Sequence, residues 1–101
     1  MKFLIVTLVK EYEKEVLHLF KKAKITSFSD VDINGFHSKS VENLIDNWFS
    51  SDADKVRSTM FFTFTNKEKI DLLLEEIKVF NTQKELSNPL RAIVLDVAKF
   101  I

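Results

Sequence analysis

Two stretches of this chain change hydrophobic period in the same order, from an apolar run to a helical stripe and back to a strand pattern. Lys2 to Val9 is nearly unbroken apolar, β-branched sequence, the pattern of a strand covered on both faces. From Glu11 the period becomes helical. Tyr12, Val16, Leu19, Phe20 and Ala23 form one stripe, with lysines and glutamates opposite. Glu11 and Glu13 suit the positive end of that helix, and Lys21, Lys22 and Lys24 its negative end. Thr26 to Phe36 returns to strand character, Val31 and Ile33 alternating with Asp30 and Asp32. Gly35, the single glycine, marks a bend or a bulge where the backbone approaches something closely.

The second half repeats the order without repeating the residues. Arg57 to Thr65 (RSTMFFTFT) is a strand rich in Phe and Thr. Thr65 and Glu68 have the spacing of a capping box, and Ile70, Leu73, Leu74, Ile77 and Phe80 form the stripe of the helix behind it. That helix fades in NTQKELSNP, where Asn88 and the sole proline, Pro89, break regular structure. Leu90 to Val97 reads as a fourth strand. The order is β-α-β, a long connection, then β-α-β. Right-handed crossovers place both helices on one face of a four-stranded antiparallel sheet, so the expected fold is a ferredoxin-like α+β sandwich. Residues 1–101 form one domain of ordinary size.

Two helices cover only one face of such a sheet, yet both faces read as apolar. Phe3, Ile5 and Val9 alternate with Leu4, Val6 and Leu8; Met60, Phe62 and Phe64 with Phe61; Ile93 and Leu95 with Ala92 and Val94. A bare face of this kind exposes on the order of a few hundred Å², more than a soluble monomer comfortably shows. At ~25 cal/mol per Å², hiding it between subunits contributes several kcal/mol before association costs, so a homo-oligomer is expected. The alternative is a monomer whose C-terminal residues fold back over the sheet.

Composition removes several classes. With 46% hydrophobic and 30% charged residues the chain reads as globular, and its fifteen basic and fifteen acidic residues cancel. That balance lacks the basic excess of a nucleic-acid binder. Without cysteine there is no disulfide framework, thiolate zinc site or thiol nucleophile. The apolar start MKFLIVTLV is short, contains Thr7 and runs into KEYEKE, so it reads as a buried strand and not as a secretory leader. No run approaches the ~20 apolar residues that span a bilayer, and the expectation is a soluble, cytoplasmic protein with no membrane insertion.

The layout resembles the PII-like signalling proteins, trimeric ferredoxin-like regulators of the nitrogen-regulatory type. The resemblance is carried by the opening KFLIVTLVK, the helix EYEKEVLHLFKKAKI, the second strand ending INGFH where the family commonly reads K-G-F-G, the long excursion that follows, MFFTFTNKEKIDLLLEEI and the final AIVLDVAKFI. It implies a homotrimer with a partner-contacting T-loop over about 37–56, a protein partner such as a membrane transporter, and an effector held in clefts between subunits. By resemblance, Ser29, Gly35, Phe36, His37, Lys39 and Arg57 lie at the loop base, and Lys84 and Arg91 lie across the cleft in the segment Gln83 to Arg91. The chain departs from the nucleotide-binding pattern there. TQKELSNPLR has no glycine, and Pro89 removes an N–H that would meet a phosphate, which counts against ordinary ATP sensing. The effector is left open between a small molecule and a divalent metal, and the remaining alternative is a purely structural oligomer with no effector.

No residue set points to catalysis. G-x-S-x-G, H-E-x-x-H and phosphate-binding glycine loops are missing, Ser50-Ser51 beside Asp52 reads as an exposed loop, and Asp30 and Asp32 read as the wet side of a half-exposed strand. The expectation is a non-enzyme. His18 lies off the first helix's stripe, as a solvated position. His37, with Asp52 and Asp54 folded back towards it, is the one candidate metal set, and three such sites around a trimer would resemble the divalent-cation-binding relatives of the fold. Finally, Val41, Leu44, Ile45, Trp48 and Phe49 fall at i, i+3, i+4, i+7 and i+8, an amphipathic stripe. Leu44, Ile45, Trp48 and Phe49 are therefore the candidate partner-binding anchors, the other reading being a short helix packed on its own domain.

Overall fold

The computed structural model describes residues 1–36, 55–84 and 88–101. Strand β1 (Lys2–Val9) runs through a short 3-10 turn (Lys10–Tyr12) into helix α1 (Glu13–Lys22). Strand β2 (Ser29–Phe36) follows, then β3 (Lys55–Thr65), helix α2 (Lys67–Lys84) and β4 (Arg91–Asp96). The four strands form one antiparallel sheet in the order β2-β3-β1-β4, with β1 and β3 paired at its centre. This is the expected ferredoxin-like α+β arrangement.

The two helical stripes make the core. Val16, Leu19, Phe20 and Ala23 of the first stripe and Ile70, Leu73, Ile77 and Phe80 of the second are buried against Leu4, Val6, Leu8 and Phe61. Tyr12 and Leu74 pack at the margin. Phe20, Phe28 and Phe61 form a ring triad with centroids 4.8–5.5 Å apart and edge-on or tilted planes, the arrangement aromatic quadrupoles favour.

None of the described residues covers the opposite face. Phe3 stacks on Phe64 with centroids 4.8 Å apart and meets Phe62 edge-on. Phe64, Ile93, Leu95 and Val31 are all exposed on this side. Phe100 is 70% exposed, so the C-terminal residues do not bury it over the sheet.

Several local expectations change. The cap of α2 is Asn66, whose Oδ1 accepts from the Lys69 N–H at 3.0 Å, and not the Thr65–Glu68 box. Thr65 is still paired to Lys2 in the β1–β3 ladder, so the helix starts one residue later. Gly35 makes neither bend nor bulge: the β2–β3 register runs unbroken through Gly35 and Val56 to Phe36 and Lys55. Strand β3 takes in Lys55 and Val56, which the pattern assigns to the connection, whereas β2 begins at Ser29 and β4 at Arg91, later than their patterns suggest.

Helix α1 ends in a device the sequence does not advertise. Lys24 adopts φ 62°, the Ile25 N–H donates to the Phe20 carbonyl at 2.9 Å, and the Lys24 N–H to the Lys21 carbonyl at 3.0 Å. This is a Schellman ending with lysine where glycine is usual, and it drives Ile25 into the core. Because a side chain in the left-handed region costs roughly 1–2 kcal/mol, Lys24→Gly is expected to raise unfolding stability by about 1 kcal/mol in chemical denaturation.

Candidate functional site

At one end of the uncovered face lies a cleft of about 290 Å³. All four strands contribute to it: Thr7, Leu8 and Val9 of β1, Ile33, Gly35 and Phe36 of β2, Val56 and Ser58 of β3, and Arg91 of β4, with Asn88 and Pro89 at the rim. The strand registers explain the gathering. Thr7 pairs with Arg91, Val9 with Ser58, Ile33 with Ser58 and Gly35 with Val56, so these residues stand side by side on one face.

The lining is mostly apolar with one cationic side chain, Arg91, which makes no ion pair among the described residues. The Ser58 hydroxyl donates to the Val56 carbonyl at 3.1 Å, which leaves its oxygen lone pairs as acceptors towards the cleft. Gly35 keeps the floor low. A Cβ there would lie 3.4 Å from Ser58 Oγ and 3.5 Å from the Val56 carbonyl oxygen, ordinary contact that fills cleft space without displacing backbone.

The wall formed by residues 88–91 is held from behind. Asn81, on α2, donates from Nδ2 to the Leu90 carbonyl at 2.9 Å and accepts the Leu90 N–H on Oδ1 at 2.8 Å. Arg91 follows directly. Nothing in the sequence pattern singles out Asn81; it lies in the stretch where the pattern has the helix fading, and α2 stays helical through it.

Of the residues proposed by resemblance, the fold therefore brings together Gly35, Phe36 and Arg91. Arg57 is elsewhere. It pairs with Asn34 on the helix-side face and lines a smaller polar depression of about 120 Å³ with Lys10, Asp32, Asn34 and Ser58. There Lys10 Nζ is 2.8 Å from Asp32 Oδ1. Ser29 starts β2 at its far end, about 20 Å from Gly35 at ~3.3 Å per residue. Lys84, the last residue of α2, holds its ammonium 6.0 Å from the Phe80 ring centroid. His37, Lys39, Leu44, Ile45, Trp48, Phe49, Asp52 and Asp54 lie outside the described residues. His18 is exposed on α1, and no metal-holding cluster of acids and histidines occurs among the described residues.

The comparisons with known proteins bear on this architecture. No protein-family model matches the sequence, and neither does any curated protein. Solved structures do match. A nitrogen regulatory PII-like protein, CPII, from Thiomonas intermedia K12, bound to ADP, AMP and bicarbonate, superposes with a TM-score of 0.63 at 17% identity, over 99% of this chain and 94% of that one. The same protein bound to ADP, AMP and acetate gives 0.67 at 18% identity, covering 95% and 84%. A PII-like signalling protein from Thermus thermophilus gives 0.61 at 15% identity, covering 95% and 85%. The fold is that of the PII-like proteins. At such identities the likeness establishes the chain path, not the ligand. No helix among the described residues is long and apolar enough to cross a membrane.

The ion pair in the smaller, helix-side depression gives a direct test of that arrangement. The Lys10 ammonium, by hydrogen bond and charge, holds the Asp32 carboxyl below its ordinary value, with Arg57 adding to the effect. A depressed folded-state value means that whatever the pair contributes is present above the unfolded carboxylate range and lost as pH falls through the folded value. Lys10→Gln is expected to move the Asp32 titration upward in a carboxyl-detected NMR pH series, with the fold intact.

Proposed function

We propose that this protein is a non-catalytic PII-like regulator that forms a homotrimer, takes a small effector at the cleft around Arg91, and signals to a protein partner through the connection between β2 and β3. The observation that carries this reading is the coincidence of three features at one end of the sheet. The cleft opens on the uncovered apolar face, it contains a cation without an ion pair among the described residues, and it sits where β2 ends and β3 begins. A neighbouring copy packed on that face would roof the cleft, so assembly and effector binding would share one surface. Cytoplasmic residence is part of the same reading.

The lining favours a small anion or an anionic end of a larger molecule, with Arg91 as its counter-charge. CPII was solved with ADP, AMP and bicarbonate, which makes adenine nucleotides and bicarbonate the first ligands to try. Divalent metal held by His37, Asp52 and Asp54 is the second reading, in which the cation and not an anion is the effector. A thermal-shift and calorimetric screen of AMP, ADP, bicarbonate, acetate, 2-oxoglutarate, copper, zinc and nickel separates the two. The expected result is a trimer by size exclusion with light scattering, stabilised by at least one of the anions. Arg91→Ala should remove that stabilisation while the trimer persists. A monomer at micromolar concentration overturns the assembly, and binding of metal alone overturns the anion site.

In this reading Trp48 and Phe49, with Leu44 and Ile45, are anchors for the partner, a membrane transporter being the type the resemblance implies. Replacing Trp48 and Phe49 together by Ala is expected to leave the melting temperature unchanged. A large loss of thermal stability would instead assign both rings to the domain's own surface.

A further inference from the structure

Leu90 is 3% exposed and lies one residue before the first paired position of β4, Arg91 opposite Thr7. Its N–H and C=O are thus withdrawn from water just where the sheet ladder has yet to begin, and each needs a partner. The preceding residue is Pro89, which has no N–H to offer a ladder partner. One side chain meets both needs. The Asn81 carboxamide accepts the Leu90 N–H at 2.8 Å and donates to the Leu90 carbonyl at 2.9 Å. At neutral pH an amide side chain presents an acceptor and a donor side by side, which an ionised carboxylate does not, so the arrangement suits Asn or Gln chemistry and this reach.

The consequence falls on the cleft. Asn88 and Pro89, at its rim, and Arg91, its cation, flank the clamped residue on both sides. Here the wall carries a proline and no glycine, and a side-chain fork from the helix behind holds it.

We propose that Asn81 is the positioning residue of the effector cleft: by clamping Leu90 it sets the direction in which Arg91 enters the cleft, and it ties the end of α2 to effector affinity. This rests on the reading of the cleft as an effector site. The clamp itself is a separate physical statement, and the experiment has an arm for each.

The first arm is amide hydrogen exchange on the full chain, with no ligand. Asn81→Ala is expected to abolish protection at Leu90 while Ala92 to Asp96 keep their wild-type rates. Exchange at Leu90 as slow as in wild type overturns the clamp. The second arm is calorimetry with acetate, bicarbonate and AMP, performed far below the melting temperature of every variant. Asn81→Ala is expected to weaken the probe that binds by on the order of tenfold, the scale of one hydrogen bond lost at a buried group. Asn81→Asp keeps the acceptor for the Leu90 N–H but sets a carboxylate oxygen against the Leu90 carbonyl, so it should not restore wild-type affinity; it also serves as the readout if Asn81→Ala does not fold. If Asn81 acts through Arg91, the double variant Asn81→Ala/Arg91→Ala binds no more weakly than Arg91→Ala alone. Additive losses, or a lowered melting temperature with unchanged affinity, overturn the positioning role. If wild type binds none of the three probes, the anion-cleft reading and the affinity half of this proposal fall together, and the exchange arm still decides the clamp.

Discussion

The structure depends on a constraint of covering. A four-stranded sheet has two faces, and the described residues supply two long helices, both on the same side. β1 meets that constraint at the centre. Leu4 and Val6 are fully buried beneath the helical stripes, while Phe3 and Ile5, on the alternate positions, face away from them. Burial of the first set accounts for the fold of one chain. The second set, continued by Phe62, Phe64, Ile93 and Leu95, is apolar surface that the described residues leave open, and it is the strongest physical argument for a partner copy.

The cleft is a product of the same geometry. It lies on the uncovered face, where β2 and β3 end in the connection and where β4 starts after Pro89. None of its polar features comes from a local motif. Thr7, Ser58 and Arg91 are far apart in sequence and become neighbours only through the pairings of β1 with β3 and with β4. The second polar depression, on the helix side, shows how sharply the sheet divides charge. Lys10, Asp32 and Arg57 gather there, and Arg57 is kept from the cleft by one step of strand alternation, although its neighbour Ser58 lines both.

Helix ends carry much of what positions these parts. The Schellman ending at Lys24 turns the chain sharply so that Ile25 is buried and Phe28 reaches the ring triad with Phe20 and Phe61. The Asn66 cap starts α2 directly from the end of β3, and Asn81, near the other end of α2, reaches across to Leu90. The second βα unit is therefore tied at both ends by asparagine side chains, where a pattern reading offers Thr65 at the start and helix fraying at the finish.

The sequence by itself determined the order of elements, both helical stripes, the sidedness of β1 and β3 and the apolar excess of one face, because hydrophobic period is a local property that survives in the linear string. It also pointed to Gly35, Phe36 and Arg91 by resemblance. Tertiary structure decided which charged residues share a site. Arg57 and Arg91 look equivalent in the string, yet they face opposite sides of the sheet. Alternation gives the side of each along its own strand; which positions of different strands stand together depends on register, which long-range pairing sets and which no local pattern reveals. The same holds for Asn81, whose value lies in a backbone nine residues away that only the fold brings within hydrogen-bond reach.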